Sequence, residues 1–353
     1  MLGREAALAV QQGLKSAEWY HSDVDRKDMK ELMKRSDGPA IRDTIIWLGS
    51  MIVLAALAIW LWPSWWAALP LAAYGVLYGS ATDSRWHECS HGTAFKTPWM
   101  NDWVYQIASF MIMRNPTRWR WSHTRHHTDT LIVGLDPEIA VMRPPALFRL
   151  VLNVFGILDA WGAMKEMLRN ALGSISPDEK SFIPEMEWPK VIFAARIWVL
   201  IYAATIAACF WFNSVLPLFL VGLPRIFGAW HHVMTGLMQH GALADDVLDH
   251  RMNSRTVYIN PISRFIYWNM NYHVEHHMFP MVPYHALPRL HQLIKSDLPA
   301  PSPSIFACYK EMLPVWVRQF RGEDYFLVRE LPKTAKPYRP DFNGRSLAAA
   351  AAE

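Results

Sequence analysis

The chain has 353 residues, of which 52% are hydrophobic, 19% are charged and 18 are tryptophans. This composition is too apolar for an ordinary soluble enzyme and indicates a membrane protein. The formal net charge of +4 is weak; it suits contact with anionic lipid headgroups and argues against nucleic-acid binding. Three widely separated cysteines predict neither a disulfide framework nor a cysteine-rich metal site.

The N-terminal residues are polar and basic. Residues 1–42 contain eight lysines or arginines, and MLGREAALAV lacks the long apolar core of a secretory signal. We expect residues 1–42 to form a cytoplasmic N-terminal segment, because basic flanks stay on the cytoplasmic side.

Four apolar runs follow in two pairs, at about 44–62, 65–80, 191–212 and 215–238. Each is near the length of about 20 residues that crosses the bilayer as a helix. The links WPSWW and NSVL are short, uncharged and flanked by aromatic residues, which predicts two helical hairpins with interfacial tips. Residues 43–300 would form one membrane domain.

The remaining segments are too short or too polar to span. Residues 102–113 predict a buried or interfacial helix, and 143–165 an amphipathic surface helix or a reentrant element. Residues 301–353 would form a cytoplasmic C-terminal tail, which ends in the low-complexity run 346–353.

Nine of the 15 histidines fall in four clusters on the predicted cytoplasmic side. Their spacings of three and four residues place imidazoles on one face of a helix. The clusters occur in WHECSHGTAF, WSHTRHHTDT, MQHGALADD and NYHVEHHMFP, and they supply His87, His91, His123, His126, His127, His240, His273, His276 and His277.

Nine neutral nitrogen ligands are too many for one ion and divide naturally over two. Imidazole suits zinc, copper, iron and nickel. A membrane zinc hydrolase is one alternative, but a catalytic zinc takes only three protein ligands, and a haem needs one or two axial ligands. A metal transporter is another, although transporters place their ion sites near the bilayer midplane.

Each metal-bound imidazole should donate its other N–H to an acceptor. The candidates for this supporting layer are Glu88, Asp129, Asp245, Asp246, Glu275, His231 and His232.

Arg225 lies about ten residues into the fourth span, where a charge is costly. Pro224 could mark a break that lets Arg225 reach an interface, or Arg225 could bind an acidic group of a substrate.

The boxes HECSH, HTRHH and HVEHH between two hairpins resemble the membrane fatty-acid desaturase superfamily over residues 40–295. The stretch NYHVEHHMFPMVPYHALPRLH is similar to bacterial members, including the rhizopine-catabolism group. The resemblance implies that the eight box histidines bind two irons, which activate O2 to oxidise a C–H bond. His240 matches a histidine of the membrane alkane monooxygenases.

The resemblance implies an all-α integral membrane protein, in a bacterial inner membrane, with a cytoplasmic helical cap that holds the dimetal site. Fatty-acyl or lipid desaturation is the expected reaction, and hydroxylation of a lipid, alkane or small polar metabolite is the alternative. Electrons would come from a separate ferredoxin or similar donor with its reductase. A basic rim that includes Arg114, Arg118, Arg120 and Arg125 would dock the donor or contact lipid headgroups. The oligomeric state stays open.

Overall fold

The computed structural model describes residues 4–15 and 17–339, so the run 346–353 lies outside the described residues. Within those ranges the chain is helical and forms two isolated β-bridges but no strand. The helices are α1 (Arg4–Gln11), α2 (Arg26–Leu32), α3 (Asp37–Leu61), α4 (Ala68–Gly79), α5 (Ala81–Ser90), α6 (Pro98–Met111), α7 (Pro116–Thr128), α8 (Leu147–Leu152), α9 (Ile157–Ala171), α10 (Pro177–Phe182), α11 (Trp188–Trp211), α12 (Leu216–Leu220), α13 (Pro224–Phe227), α14 (Trp230–His240), α15 (His250–Asn253), α16 (Pro261–Ile266), α17 (His273–Met278), α18 (Leu287–Ile294) and α19 (Ile305–Phe320).

The first predicted pair of spans forms two packed helices. α3 covers the run 44–62 and begins earlier, at Asp37. A 3-10 turn at Trp65–Ala67 leads into α4, which covers most of the run 65–80. The indole N–H of Trp47 donates to the Leu77 carbonyl at 2.9 Å and joins the two helices. Only Ser80 separates α4 from α5, so the second span leads directly into the first histidine box.

The second predicted pair differs in its second half. α11 is one helix of 24 residues. The run 215–238, predicted as one continuous span, is instead divided among α12, α13 and α14. Pro217 and Pro224 each remove a backbone donor. Gly222 has a φ of 97°, in the left-handed region that glycine adopts without strain. The run therefore does not form one continuous helix. A break at Pro224 agrees with one of the two predictions for Arg225, whereas the division near Pro217 and Gly222 was not predicted.

Two helical segments in the described ranges are long and apolar enough to cross a membrane. One is Arg26–Leu61, which includes α2 and α3, and the other is Glu185–Trp211, which includes α11. Both have large apolar side chains that face outward, such as Ile52, which is 70% exposed, and Phe193, which is 67% exposed. Trp65 and Trp211 are exposed at the two ends where the predicted hairpins turn.

The shorter predicted segments also form helices. α6 corresponds to the run 102–113 and packs against α5. The segment 143–165 is divided between α8 and α9 by Gly156, whose φ is 62°. Part of the predicted C-terminal tail is α19, which packs against α14 and buries Met312 and Trp316.

The backbone of the second span, α4, is in direct contact with the backbone of the segment that precedes α14. A Cβ atom on Gly228 would lie 1.7 Å from the carbonyl oxygen of Gly75, far inside van der Waals contact. Ser80 adds a bond across the same interface, because its hydroxyl donates to the Gly228 carbonyl at 2.5 Å. A side chain at position 228 would therefore separate the two histidine-bearing segments.

We predict that Gly228→Ala destabilises the protein by about 1–3 kcal/mol or more, as overpacking of a core does. Gly49→Ala is the matched control, because a Cβ on that helical glycine meets nothing within 4 Å. Melting of both purified variants in detergent, followed by size-exclusion chromatography, gives the comparison. Equal melting temperatures for Gly228→Ala and the wild type would contradict the close approach.

Candidate metal centre

The four histidine clusters meet at the ends of four helices. His87 lies in the last turn of α5, and His91 follows that helix as its C-terminal cap. α7 carries the second box, α17 the third, and His240 is the last residue of α14. The prediction that the boxes are helical is confirmed. All nine predicted histidines lie in two compact groups.

The first group contains five histidines, whose ligand nitrogens all lie within 4.8 Å of one another. Its members are His87, His91, His123, His127 and His276. Their Nε2 atoms approach closely: His87 to His276 at 2.7 Å, His91 to His123 at 3.1 Å, and His127 to both His123 and His276 at 3.2 Å.

The second group contains four histidines, His126, His240, His273 and His277, within the same limit. The Nε2 atom of His273 lies 3.0 Å from that of His240 and 3.0 Å from that of His277. The imidazole of His126 completes the group, with its ring centroid 5.2 Å from His240 and 4.9 Å from His277.

Two carboxylates orient imidazoles of the second box, one for each group. Nδ1 of His123 lies 3.0 Å from Glu138 Oε2, and Nδ1 of His126 lies 2.8 Å from Asp136 Oδ2. Asp136 also accepts from the backbone N–H of Leu131 and of Glu138, each at 2.8 Å. These bonds fix the loop 136–138 and direct the Nε2 lone pairs of both imidazoles inward.

Other acceptors serve the second group. Nδ1 of His240 donates to the Asn253 carbonyl at 2.7 Å, and Nδ1 of His277 lies 3.3 Å from the Thr130 hydroxyl. His250 packs with its ring centroid 5.1 Å from that of His277 and stacks on Trp19 at 4.2 Å.

Seven of the nine histidines are held as uncharged nitrogen donors. Burial and the neighbouring imidazoles lower the pKa well below its ordinary value for His87, His91, His127, His240, His273, His276 and His277. His126 differs, because Asp136 outweighs the effect of burial and raises its pKa. Burial opposes ionisation of Glu138, but His123 and His126 lower its pKa to about 2.

The residues fit two metal ions. With metal–nitrogen bonds of about 2.0–2.1 Å, two ligands at a right angle lie about 3.0 Å apart. The Nε2 separations of 2.7–3.2 Å match that spacing. Uncharged lone pairs gain nothing by facing one another, whereas a cation at the centre of each group would attract all of them.

Two buried arginines hold the backbone next to these groups. Arg85, two residues before His87, donates to the carbonyls of Ile266 and Phe265 at 2.8 and 3.2 Å. Arg255 donates to the carbonyls of Met238 and Gly241, at 2.8 and 3.1 Å, on either side of His240. A cation at the C-terminal end of a helix is favourable, because the last carbonyls are unpaired there.

The predicted supporting layer needs correction. Glu88 accepts from the Thr93 hydroxyl at 2.8 Å and from the backbone N–H of Tyr284 at 3.0 Å. Glu275 accepts from Thr256 at 2.6 Å and from Nδ1 of His291. These two buried carboxylates tie the first and third boxes to loops and do not accept from the nine histidines in the described structure.

The other candidates have these partners. Asp129 pairs with Arg125 at 2.7 Å and Asp245 with Arg143 at 2.7 Å, while Asp246 accepts from the Val133 N–H at 2.8 Å. Nε2 of His231 lies 3.1 Å from the Ser263 hydroxyl. The acceptors that the sequence analysis missed, Asp136 and Glu138, follow the second box in LDPEIA. They lie nine and eleven residues beyond His127, in a loop, and no spacing in the sequence marks them.

A cavity of about 470 Å³ adjoins both groups. His87 and His123 of the first group line it, as do His126 and His240 of the second. His232 and Arg225 line the same cavity. Arg225 is 2% exposed, so the expectation that it reaches an interface was wrong.

The predicted basic rim is largely neutralised. Arg114 pairs with Asp83 at 2.6 Å, and Arg118 with Glu166 at 3.1 Å. Arg120 pairs with Asp102 at 3.2 Å, and Arg125 with Asp129 at 2.7 Å. These arginines therefore present less free positive charge to a partner than the sequence suggested.

The protein is helical and has two buried groups of histidines, each of which could hold a metal ion, beside a cavity. A family model described as fatty acid desaturase matches residues 60–309. The chain belongs to the fatty acid desaturase family and is an oxidoreductase, which confirms the resemblance and the class of enzyme expected from the boxes. The similarity to the rhizopine-catabolism group stays a prediction.

Curated relatives agree. The chain is 27% identical to an endoplasmic-reticulum acyl-lipid omega-3 desaturase (cytochrome b5) of Arabidopsis thaliana, over 72% of this chain and 69% of the relative. It is 27% identical to a chloroplastic temperature-sensitive sn-2 acyl-lipid omega-3 desaturase (ferredoxin) of the same plant, over 70% and 60%. It is 26% identical to fatty acid desaturase 3 of Homo sapiens, over 81% and 65%. The chain thus spans about three fifths of the length of several relatives.

We predict that Asp136→Asn and Glu138→Gln each weaken metal retention by about 10–100-fold, as the loss of an outer acceptor does. Asp102→Asn is the control, because that carboxylate pairs with Arg120 on the surface. The metal content after dialysis against graded chelator concentrations gives the comparison. Retention equal to that of the control would show that the two carboxylates do not orient ligands.

Proposed function

We propose that this protein is a membrane-bound lipid desaturase that uses two irons, O2 and electrons from a separate protein. The observation that carries the proposal is the division of nine buried imidazoles into groups of five and four that face one cavity. The family membership and the desaturase relatives support the reaction class.

The irons would be held by His87, His91, His123, His127 and His276 in one group and by His126, His240, His273 and His277 in the other. When bound, they would supply the activation of O2 that breaks an unactivated C–H bond. The reaction balances when the substrate gives up two hydrogens, the donor supplies two electrons with two protons, and O2 becomes two waters.

The chain's own residues supply position and protection. Asp136 and Glu138 fix the imidazoles of His126 and His123, so that the ligand geometry does not depend on the metal alone. The cavity touches both groups, so a substrate carbon placed there lies beside both metal positions. No histidine of the nine has to move a proton from the substrate.

Desaturation is the reaction we propose, because the three relatives described above are named desaturases. The hydroxylase alternative would use the same ligand set, but the family and the named relatives do not favour it.

Four membrane spans in two hairpins remain our proposal for the topology. The two long apolar helices and the exposed apolar side chains on α3 and α11 support it. In this topology α4 would be the second span and the divided segment α12–α14 would be the fourth. The other two spans, α3 and α11, would cover them. We propose that the N-terminus, the C-terminus and the metal groups face the cytoplasm of a bacterial inner membrane.

The electron donor we propose is a ferredoxin or similar small protein with its reductase. The names of the plant relatives include cytochrome b5 in one case and ferredoxin in another, which supports a separate donor. Because the arginines of the predicted basic rim are paired with carboxylates, we do not assign the docking surface to them.

We predict that cells producing this protein with a ferredoxin and reductase accumulate a lipid that lacks two hydrogens, and that His276→Ala abolishes it. His276 is fully buried in the first group, so its loss would remove one of the five ligands of that ion. His21→Ala is the control, because that histidine is exposed on the N-terminal segment.

Mass spectrometry of lipids and soluble metabolites reads out the result. A lipid that gains an oxygen atom would show that the protein is a hydroxylase and not a desaturase. A change confined to soluble metabolites would contradict the lipid substrate.

A further inference from the structure

One charged side chain in the cavity lacks the partner that its burial requires. Nε of Arg225 donates to the Ile112 carbonyl at 3.0 Å. Nη1 of Arg225 has no hydrogen-bond partner among the described residues, and the side chain is 2% exposed. A buried, uncompensated guanidinium is unfavourable, because a charge removed from water needs an opposite charge or full hydrogen bonding.

Other charged residues that line the cavity are compensated. Arg114 pairs with Asp83, Glu166 with Arg118, and Glu138 accepts from His123. Asp159 is exposed. Arg225 has no ion pair within 4.0 Å among the described residues, although the carboxylates of Asp159 and Asp83 lie near enough to attract it. Its Nη1 therefore remains an unused donor on this wall.

A second polar group on the same wall is also unpaired. His232 follows Arg225 in the divided fourth segment, is buried and lines the same cavity. Its Nδ1 atom has no hydrogen-bond partner among the described residues, although the ring also lies near the Gly79 backbone. The wall therefore offers the Nη1 group of one arginine and the Nδ1 atom of one imidazole to a ligand.

The loop between α8 and α9 makes room for this guanidinium. A Cβ on Gly156 would lie 2.5 Å from Nη1 of Arg225, so any side chain at that position would displace the group. Gly156 also has a φ of 62°, which glycine adopts without strain. The backbone of this loop thus leaves the donor in place beside the cavity.

We propose that Arg225 and His232 bind an anionic oxygen group of the substrate, a carboxylate or a phosphate, inside the cavity that the metal groups face. The proposal rests on the proposed function, because it concerns the same cavity. Guanidinium binds such groups strongly, through charge-assisted hydrogen bonds. The cavity volume of about 470 Å³ lies within the range of small-ligand sites, so the anionic group and the oxidised carbon share one compartment.

The test measures the binding of matched probes to the purified, iron-loaded protein in detergent. The probes are oleate, methyl oleate, oleoyl lysophosphatidate and oleylamine, which share a chain and differ in the charge of the head. We expect an anionic probe to bind the wild type at least about tenfold more tightly than methyl oleate, since hydrogen bonds to charged groups contribute that much. Preference for oleate alone assigns a carboxylate, and preference for lysophosphatidate alone assigns a phosphate.

Arg225→Gln should remove the preference while binding of methyl oleate stays within about twofold. Arg196→Gln is the matched control, because Arg196 is an exposed arginine of the third span that donates to a backbone carbonyl. Gly156→Ala keeps the charge but crowds Nη1 and should weaken the preference in the same direction. If Arg225→Gln does not fold, the anionic preference of Gly156→Ala tests the proposal in its place.

The proposal is overturned if the wild type binds charged and neutral probes equally, if it prefers oleylamine, or if both cavity variants keep the anionic preference. Its failure is distinct from failure of the proposed function. Desaturation of a neutral ester by protein without anionic preference would leave the desaturase intact. Absence of iron and of any unsaturated product would remove the desaturase itself.

Discussion

The structure depends on keeping nine imidazoles in two buried groups, in which neighbouring Nε2 atoms approach to 2.7–3.2 Å. Burial and the neighbouring imidazoles lower the pKa of seven of them, so these rings resist protonation. A cation at the centre of each group would attract their lone pairs. Folding of the four histidine-bearing segments and metal binding are thus expected to be linked, as they are wherever ligands come from distant parts of a chain.

Much of the surrounding structure holds these histidines in their two groups. The direct passage from α4 into α5 delivers His87, and the contact of Gly228 with Gly75 keeps the segment that ends in His240 beside it. Arg85, two residues before His87, ties α5 to the carbonyl of Ile266, and Arg255 bonds the carbonyls on either side of His240. The loop with Asp136 and Glu138 sets the rotation of two rings of the second box. The cavity then lies where the two metal groups meet the divided fourth segment.

The sequence predicted the parts that repeat with a helical period. Histidines three and four residues apart were placed on helices, and the apolar runs that became α3 and α11 were found by length and composition. The acceptors Asp136 and Glu138 were missed because they lie in a loop, where no periodicity marks a residue. Glu88 and Glu275 were chosen for being inside the boxes, but a neighbour in sequence on a helix points to another face. A break at Pro224 was one of the predicted alternatives, and Pro217 and Gly222 were the available signals for the further division of the fourth segment.

X-ray absorption spectroscopy with elemental analysis of the purified protein would show which metals the histidine groups bind. We expect two irons per chain, each surrounded mainly by imidazole nitrogen. His276→Ala should lower the occupancy of the first group, and His273→Ala that of the second. A single metal per chain, zinc in place of iron, or a shell dominated by oxygen or sulfur would rule out the proposed di-iron centre.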